Sequence, residues 1–184
     1  MLFRSPDQPT SHEDSPLHPN TLYGLAKQLA EETVLYYHRN YAIQYAILRY
    51  PNVYGPGNRK GVLYSMITRA FKEKSVTLNG DGMQSRHFLH IDDAVQAILL
   101  AIDHPGSGIY NITNPKQVFI HEVAEHLHQT LGAEIKHAPL TNGLAHLLLD
   151  PTRAREQLGF SARITEIQYQ QIIDQVQAEL ETVA

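Results

Sequence analysis

An apolar-periodic stretch from Leu22 to about Asn40 runs into an apolar, β-branched one, Ala42 to Arg49, with no glycine or proline between them. In the first, Leu22, Leu25, Ala26, Leu29, Ala30 and Thr33 recur at three- and four-residue spacing, the period of an amphipathic helix. The second reads as a buried strand. It ends in Tyr50-Pro51-Asn52-Val53-Tyr54-Gly55-Pro56-Gly57, a turn-rich loop. In doubly wound sheets, ligands bind beyond such strand ends. The alternation continues with a helix over Val62 to Lys74, a strand over Ser75 to Asn79 and a tight turn at Gly80-Asp81-Gly82. A strand over Arg86 to Ile91 and a helix over Ala94 to Ile102 come next, with Asp92 and Asp93 where the helix dipole favours carboxylates. A strand is expected at Ile109 to Ile112. Helices are expected at His121 to Leu131, at Pro151 to Leu158 ended by Gly159, and at Thr165 to Val183. Residues 1–20, with four prolines, read as loop, and Asn20 or Thr21 as the cap of the first helix. Strands alternating with helices make the chain α/β.

Composition narrows the function. The 184 residues are 42% hydrophobic and 18% charged, enough for one domain or slightly more with a real core. A net charge of −4 without a Lys/Arg cluster offers no nucleic-acid footprint. The absence of cysteine excludes thiolate metal sites and disulfides. The longest purely apolar run, Ala97 to Ile102, is far short of the roughly 20 residues that span a bilayer. The polar N-terminus is no secretory signal, so no membrane partner and a cytoplasmic location are expected. Among the eleven histidines, His121 and His126 diverge by about 140° on a helix and make no zinc pair. His87 and His90 are assigned one exposed strand face, and no metal is expected.

Tyr23 and Lys27 are four apart, on one face of the first helix. A phenol is ordinarily a poor base at neutral pH. An ammonium held close favours the phenolate, more strongly in a shielded cleft than in water. Such a pair can take a hydroxyl proton while a hydride leaves the same carbon. Gly55, Gly57, Gly80 and Gly82 read as turn glycines, since Gly55-x-Gly57 lacks the third glycine of a dinucleotide fingerprint.

The neighbours of this pair are more specific. Pro19-Asn20-Thr21-Leu22-Tyr23-Gly24-Leu25-Ala26-Lys27 resembles the Pro-x-x-x-Tyr-Gly-x-x-Lys segment of extended short-chain dehydrogenases/reductases, the NAD-dependent epimerase/dehydratase group. Leu48 to Gly57 is similar to their Leu-Arg-x-x-Asn-x-Tyr-Gly-Pro loop, and Asn79 to Asp93 to their Gly-x-Gly…Arg-Asp-Phe-x-His-x-x-Asp run. Tyr110-Asn111-Ile112 and Asp150 to Phe160 follow in family order.

The resemblance implies an incomplete Rossmann-like doubly wound parallel sheet plus a smaller α/β substrate-binding domain. Residues 1–57 would be the C-terminal part of the NAD-binding domain with the catalytic helix. Residues 58–184 would be mainly the substrate domain, with roughly 91–113 returning to the Rossmann sheet. Tyr23 would be the catalytic acid/base. Lys27 would favour its phenolate and bond the nicotinamide ribose, and Tyr50 and Pro51 would lie against the nicotinamide of NAD. Asn52 would bond the nucleotide sugar, Arg86 its phosphates, and Phe88 would line the nucleotide pocket. The implied activity is nucleotide-sugar epimerisation through a keto intermediate. A dehydratase or reductase of the same family, or an inactive remnant acting as a binding module, are the alternatives.

Three departures from the family pattern accompany the match. The glycine-rich turn and the acidic ribose ligand are absent from this sequence, as is the Ser/Thr two dozen residues before the Tyr. The Asp after the phosphate-binding Arg is His87. The Arg and Asp expected within Pro139 to Leu149 are replaced by apolar and small residues. The expected chain is therefore a fragment that binds NAD poorly alone. It would pair as a homodimer or with a complementing N-terminal fragment, leaving Leu29, Thr33, Tyr36 and Tyr37 partly exposed.

Overall fold

A computed structural model describes residues 10–139 and 146–183, apart from the side chains of His146, Leu147 and Val183. Helix α1 spans Leu22–Tyr41. Its cap is Thr21, whose hydroxyl accepts from the Gly24 amide at 3.0 Å. Gly24 is required there: a Cβ would come within 3.0 Å of Pro19 Cβ and 3.1 Å of the capping oxygen. The helix ends at Ala42 in the left-handed conformation, φ 51°.

The run expected as one strand with a trailing loop is two strands, β2 over Ala46–Arg49 and β3 over Asn52–Tyr54. Buried Pro51 causes the break, because proline cannot donate to a ladder. The chain uses the interruption to change sheets. β2 pairs in parallel with β6, Gly108–Asn111. β3 pairs in parallel with β5, Ser85–His90.

The largest sheet has the order β1-β9-β5-β3, with β7 antiparallel to β5. Three of its members, β1 (Thr10–Ser11), β7 (Gln117–Phe119) and β9 (His146–Leu149), fall in stretches that carry no strand signature. β4 (Ser75–Asn79) pairs in parallel with β8 (Glu134–Ala138). The helices α2 (Val62–Glu73), α3 (Ile91–Asp103), α4 (Ile120–Leu131), α5 (Thr152–Leu158) and α6 (Tyr169–Val183) complete the described elements. The last helix starts four residues after the expected Thr165.

Two apolar clusters hold these layers. One joins Met66 and Ile67 of α2, Val76 and Leu78 of β4, Phe88, Val123 and Leu127 of α4, and Ile172 and Val176 of α6. The other joins Leu89, Ala97 of α3, Tyr110 and Ile112, Leu158 and Phe160. Buried Asp93 ties them: its carboxylate accepts from the amides of Arg163 and Ile164, both at 3.0 Å. It fastens the Arg163–Ile164 segment to α3 as well as placing a charge in the first turn of that helix.

The histidine expectation is corrected here. Residues three apart on a strand face opposite sides, and β5 has neighbours on both edges with packing on both faces. His87 and His90 are both buried, at 4% and 2% exposure. His90 Nδ1 accepts from the Asp92 amide at 3.2 Å, capping α3, while its Nε2 meets Gln171 at 3.1 Å. Among the described residues no helix is long and apolar enough to cross a membrane.

Candidate active site

The break at Pro51 leaves a cleft of about 580 Å³ between α1 and β2. One helical stripe of α1, Tyr23, Lys27, Ala30, Glu31 and Val34, forms one wall, and Ile47 to Val53 the other. The sequence-predicted residues Tyr23, Lys27, Tyr50, Pro51 and Asn52 all line it. Lys27 Nζ lies 5.6 Å from the centre of the Tyr23 ring, a cation–π contact over the face of the phenol. Tyr23 is 63% exposed toward the opening.

Tyr50 plays a different part from Tyr23. Its hydroxyl donates to the Ala94 carbonyl at 3.2 Å, and burial pushes its pKa up to about 12. It is therefore a neutral phenol that lines the cleft and supplies no base. Burial also raises Tyr54, whose hydroxyl donates to the Glu166 carbonyl.

The wall geometry depends on a pair that sequence reasoning did not single out. Buried Arg49 donates from Nε and Nη2 to the two oxygens of Glu31, at 3.0 and 2.7 Å, and from Nη1 to the Glu13 carbonyl at 2.8 Å. A fork-to-fork pair fixes orientation as well as distance. Glu31 lies eight residues after Tyr23 on the same stripe, so the pair sets the rotation of α1 against β2. That shared stripe, followed by an arginine on the next strand, was the available signal.

A second cleft, about 290 Å³, opens on the other side of Asn52. It is lined by Val62, Ser65, Met66 and Arg69 of α2, Thr77 and Asn79 of β4, Gln84 and Arg86 at β5, and Ile120. Asn52 lines both clefts, and its amide donates weakly to the His87 carbonyl at 3.4 Å. Arg86 Nη1 donates to the Ser85 carbonyl at 2.7 Å. Phe88 does not reach this cleft. It is buried beside Asn52, its register partner on the neighbouring strand, and meets Tyr54 edge-on at 6.5 Å.

This architecture has known counterparts. The sequence matches the NAD dependent epimerase/dehydratase family over residues 4–113, more than half its length. The chain belongs to that family. It is 32% identical over 170 residues to a putative UDP-glucose 4-epimerase of Methanocaldococcus jannaschii, covering 89% of this chain and 55% of that protein. Its fold superposes with a TM-score of 0.79 on a UDP-glucose 4-epimerase of Thermotoga maritima solved with UDP-glucose. That match is 28% identical and covers 95% of this chain and 58% of the other. A UDP-glucuronic acid 4-epimerase of Bacillus cereus, solved with NAD, superposes at 0.80 with 25% identity, over 92% and 56% of the two chains. Other relatives of similar identity carry the names of decarboxylases and dehydratases. The epimerase-family chain spans about half the length of these relatives.

NAD, bound in structures of the family, meets a partial match in the residues present. The Tyr23–Lys27 stripe with Tyr50 and Pro51 suits a nicotinamide and its ribose. No glycine lines this cleft among the described residues, whereas a dinucleotide pyrophosphate needs a close-approach turn. The Gly55–Gly61 segment, which opens α2, lies outside its lining.

Proposed function

We propose that the chain is the catalytic-helix and substrate-binding part of a nucleotide-sugar 4-epimerase. The observation that carries this reading is Asn52, shared by the Tyr23–Lys27 cleft and the Arg86 cleft. A ligand lying across Asn52 puts its sugar at the phenol and its phosphates at the guanidinium. Phe88 backs the site from the core beside Asn52. Residues 1–57 then belong to the cofactor side, and 91–113 with them through the β2–β6 ladder.

Tyr23 takes the proton of the sugar hydroxyl, with Lys27 held as a cation over its ring. NAD, when bound, supplies the hydride acceptor at that carbon. The proton held on Tyr23 returns to the same oxygen when the ketone is reduced, so acid and base are one residue. Tyr50, held neutral, shapes the cleft without competing for the proton. Epimerisation is taken over dehydration or decarboxylation because two of the most similar relatives are named epimerases, although decarboxylases and dehydratases match over a similar share of this chain.

Partner surfaces support completion by further polypeptide. Among the described residues β2 pairs only with β6. On one side Leu29, Tyr36 and Tyr37 of α1 are exposed, and on the other Ile98, Leu99 and Ile102 of α3. A parallel strand added to β2 would cover what an unpaired edge leaves open.

Conversion of UDP-glucose with added NAD, by protein isolated from its native cell, tests the reading. A Tyr23→Phe variant that still binds UDP-glucose but turns over about 100- to 10,000-fold more slowly is expected. Binding without turnover in either protein points to the binding-module alternative. No binding of UDP-glucose refutes the reading altogether.

A further inference from the structure

The Arg86 cleft contains a second guanidinium that the sequence motifs did not assign. On α2, Val62, Ser65, Met66 and Arg69 fall at three- and four-residue spacing and form one wall. Arg69 is the last of that stripe, and Arg86 reaches the same space from β5. Asn79 and Gln84 supply amides there, Ser65 and Thr77 hydroxyls, and among the described residues no carboxylate lines the cleft. This is a cationic pocket on a chain of net charge −4.

Arg69 is also uncommitted. Among the described residues it is an exposed side chain within 4.0 Å of no carboxylate, and it makes no hydrogen bond through its guanidinium. Two forks on opposite walls match a diphosphate, which offers acceptor oxygens on two phosphorus centres. The stretch Pro139 to Leu149 contains neither arginine nor lysine. That stretch therefore offers no cation to a diphosphate, whereas α2 does.

We infer that Arg69 is the second diphosphate-binding residue, closing on the ligand from α2 opposite Arg86. The inference rests on the reading of the cleft as a nucleotide-sugar site and adds to it the residue that divides the phosphate charge. UDP and uridine are the probes, titrated calorimetrically into the full chain and into Arg69→Gln, Arg69→Lys and Arg86→Gln. Loss of one charge-assisted contact should weaken UDP binding by roughly ten- to a hundred-fold in Arg69→Gln. Uridine binding and the melting temperature should stay unchanged, and Arg69→Lys should keep part of the UDP affinity. If Arg69→Gln binds UDP like the wild type while Arg86→Gln does not, Arg86 serves alone and the inference is wrong. Equal losses for UDP and uridine also overturn it, since they indicate a distorted pocket. If the wild type does not prefer UDP to uridine, the nucleotide-sugar reading of the cleft fails with it.

Discussion

Acid should loosen this protein through one imidazole. His87 is buried in the middle of the largest sheet, where its Nδ1 accepts from the Leu149 amide at 3.3 Å and its ring also donates to the Pro115 carbonyl. Burial lowers its pKa to about 4, against the opposing effect of the Pro115 bond. An unfolded histidine titrates near 6.5. Between those values the unfolded chain takes up a proton that the folded chain refuses, so stability falls as pH drops from about 6.5 and levels off below about 4. The full span is worth about 3 kcal/mol, of which about 2 kcal/mol is lost by pH 5. That is a large share of the roughly 5–15 kcal/mol that holds a typical domain together. Protonated Nδ1 would also face the Leu149 amide, donor against donor, and release β9 from β5.

Urea unfolding followed by tyrosine fluorescence at pH 7, 6 and 5, for wild type and His87→Gln, measures this. The variant keeps a donor and an acceptor but cannot charge, and should be about 1–2 kcal/mol less stable at pH 7. By pH 5 its deficit should shrink by about 2 kcal/mol, because the contributions of the other ten histidines cancel in the comparison. A deficit that stays constant between pH 7 and 5 would refute the reasoning.

Two further substitutions probe the frame of the site. Glu31→Ala leaves Arg49 buried without its carboxylate and should cost about 3–5 kcal/mol. Hydrogen exchange should speed up most across Leu22–Tyr41, and uniform exchange would argue against the anchor. Asp93→Asn turns an amide donor toward one of two backbone N–H groups and should cost about 1–3 kcal/mol in chemical denaturation. A neutral result would mean that the Arg163–Ile164 segment is held by packing alone.

Much of the helical frame can be read from periodicity, and β4 can be read residue for residue, because Ser75–Asn79 lies between a helix end and a Gly-Asp-Gly turn. The strands that escape reading lack a pattern of their own. β8 is mostly exposed and exists through its register with β4, Glu134 opposite Ser75. β1 is two residues among prolines, made a strand by Leu148 and Leu149 far along the chain. The site divides in the same way. Tyr23, Lys27, Asn52 and Arg86 stand in motifs with fixed spacing, whereas Arg69 looks like any solvated cation on an amphipathic helix until α2 is laid against β5. His87 was misplaced because an isolated strand does not reveal that both its faces are covered.

The clasp at the start of the chain also sets a schedule for synthesis. Thr10 and Ser11 pair with Leu148 and Leu149, His12 meets Asp150 at 3.1 Å, and Asp14 pairs with Arg153, 139 residues later. Glu13, between them, supplies the carbonyl that Arg49 uses to hold α1. A ribosome adding about 5–20 residues per second takes roughly 7–28 s to deliver those partners. Until then α1 has its Glu31–Arg49 contact to β2 but lacks the clasp that joins the Glu13 segment to β9 and α5. The segment that holds the backbone acceptor of Arg49 is thus made well before the residues that fasten it, and a nascent chain carries it unfastened over that interval.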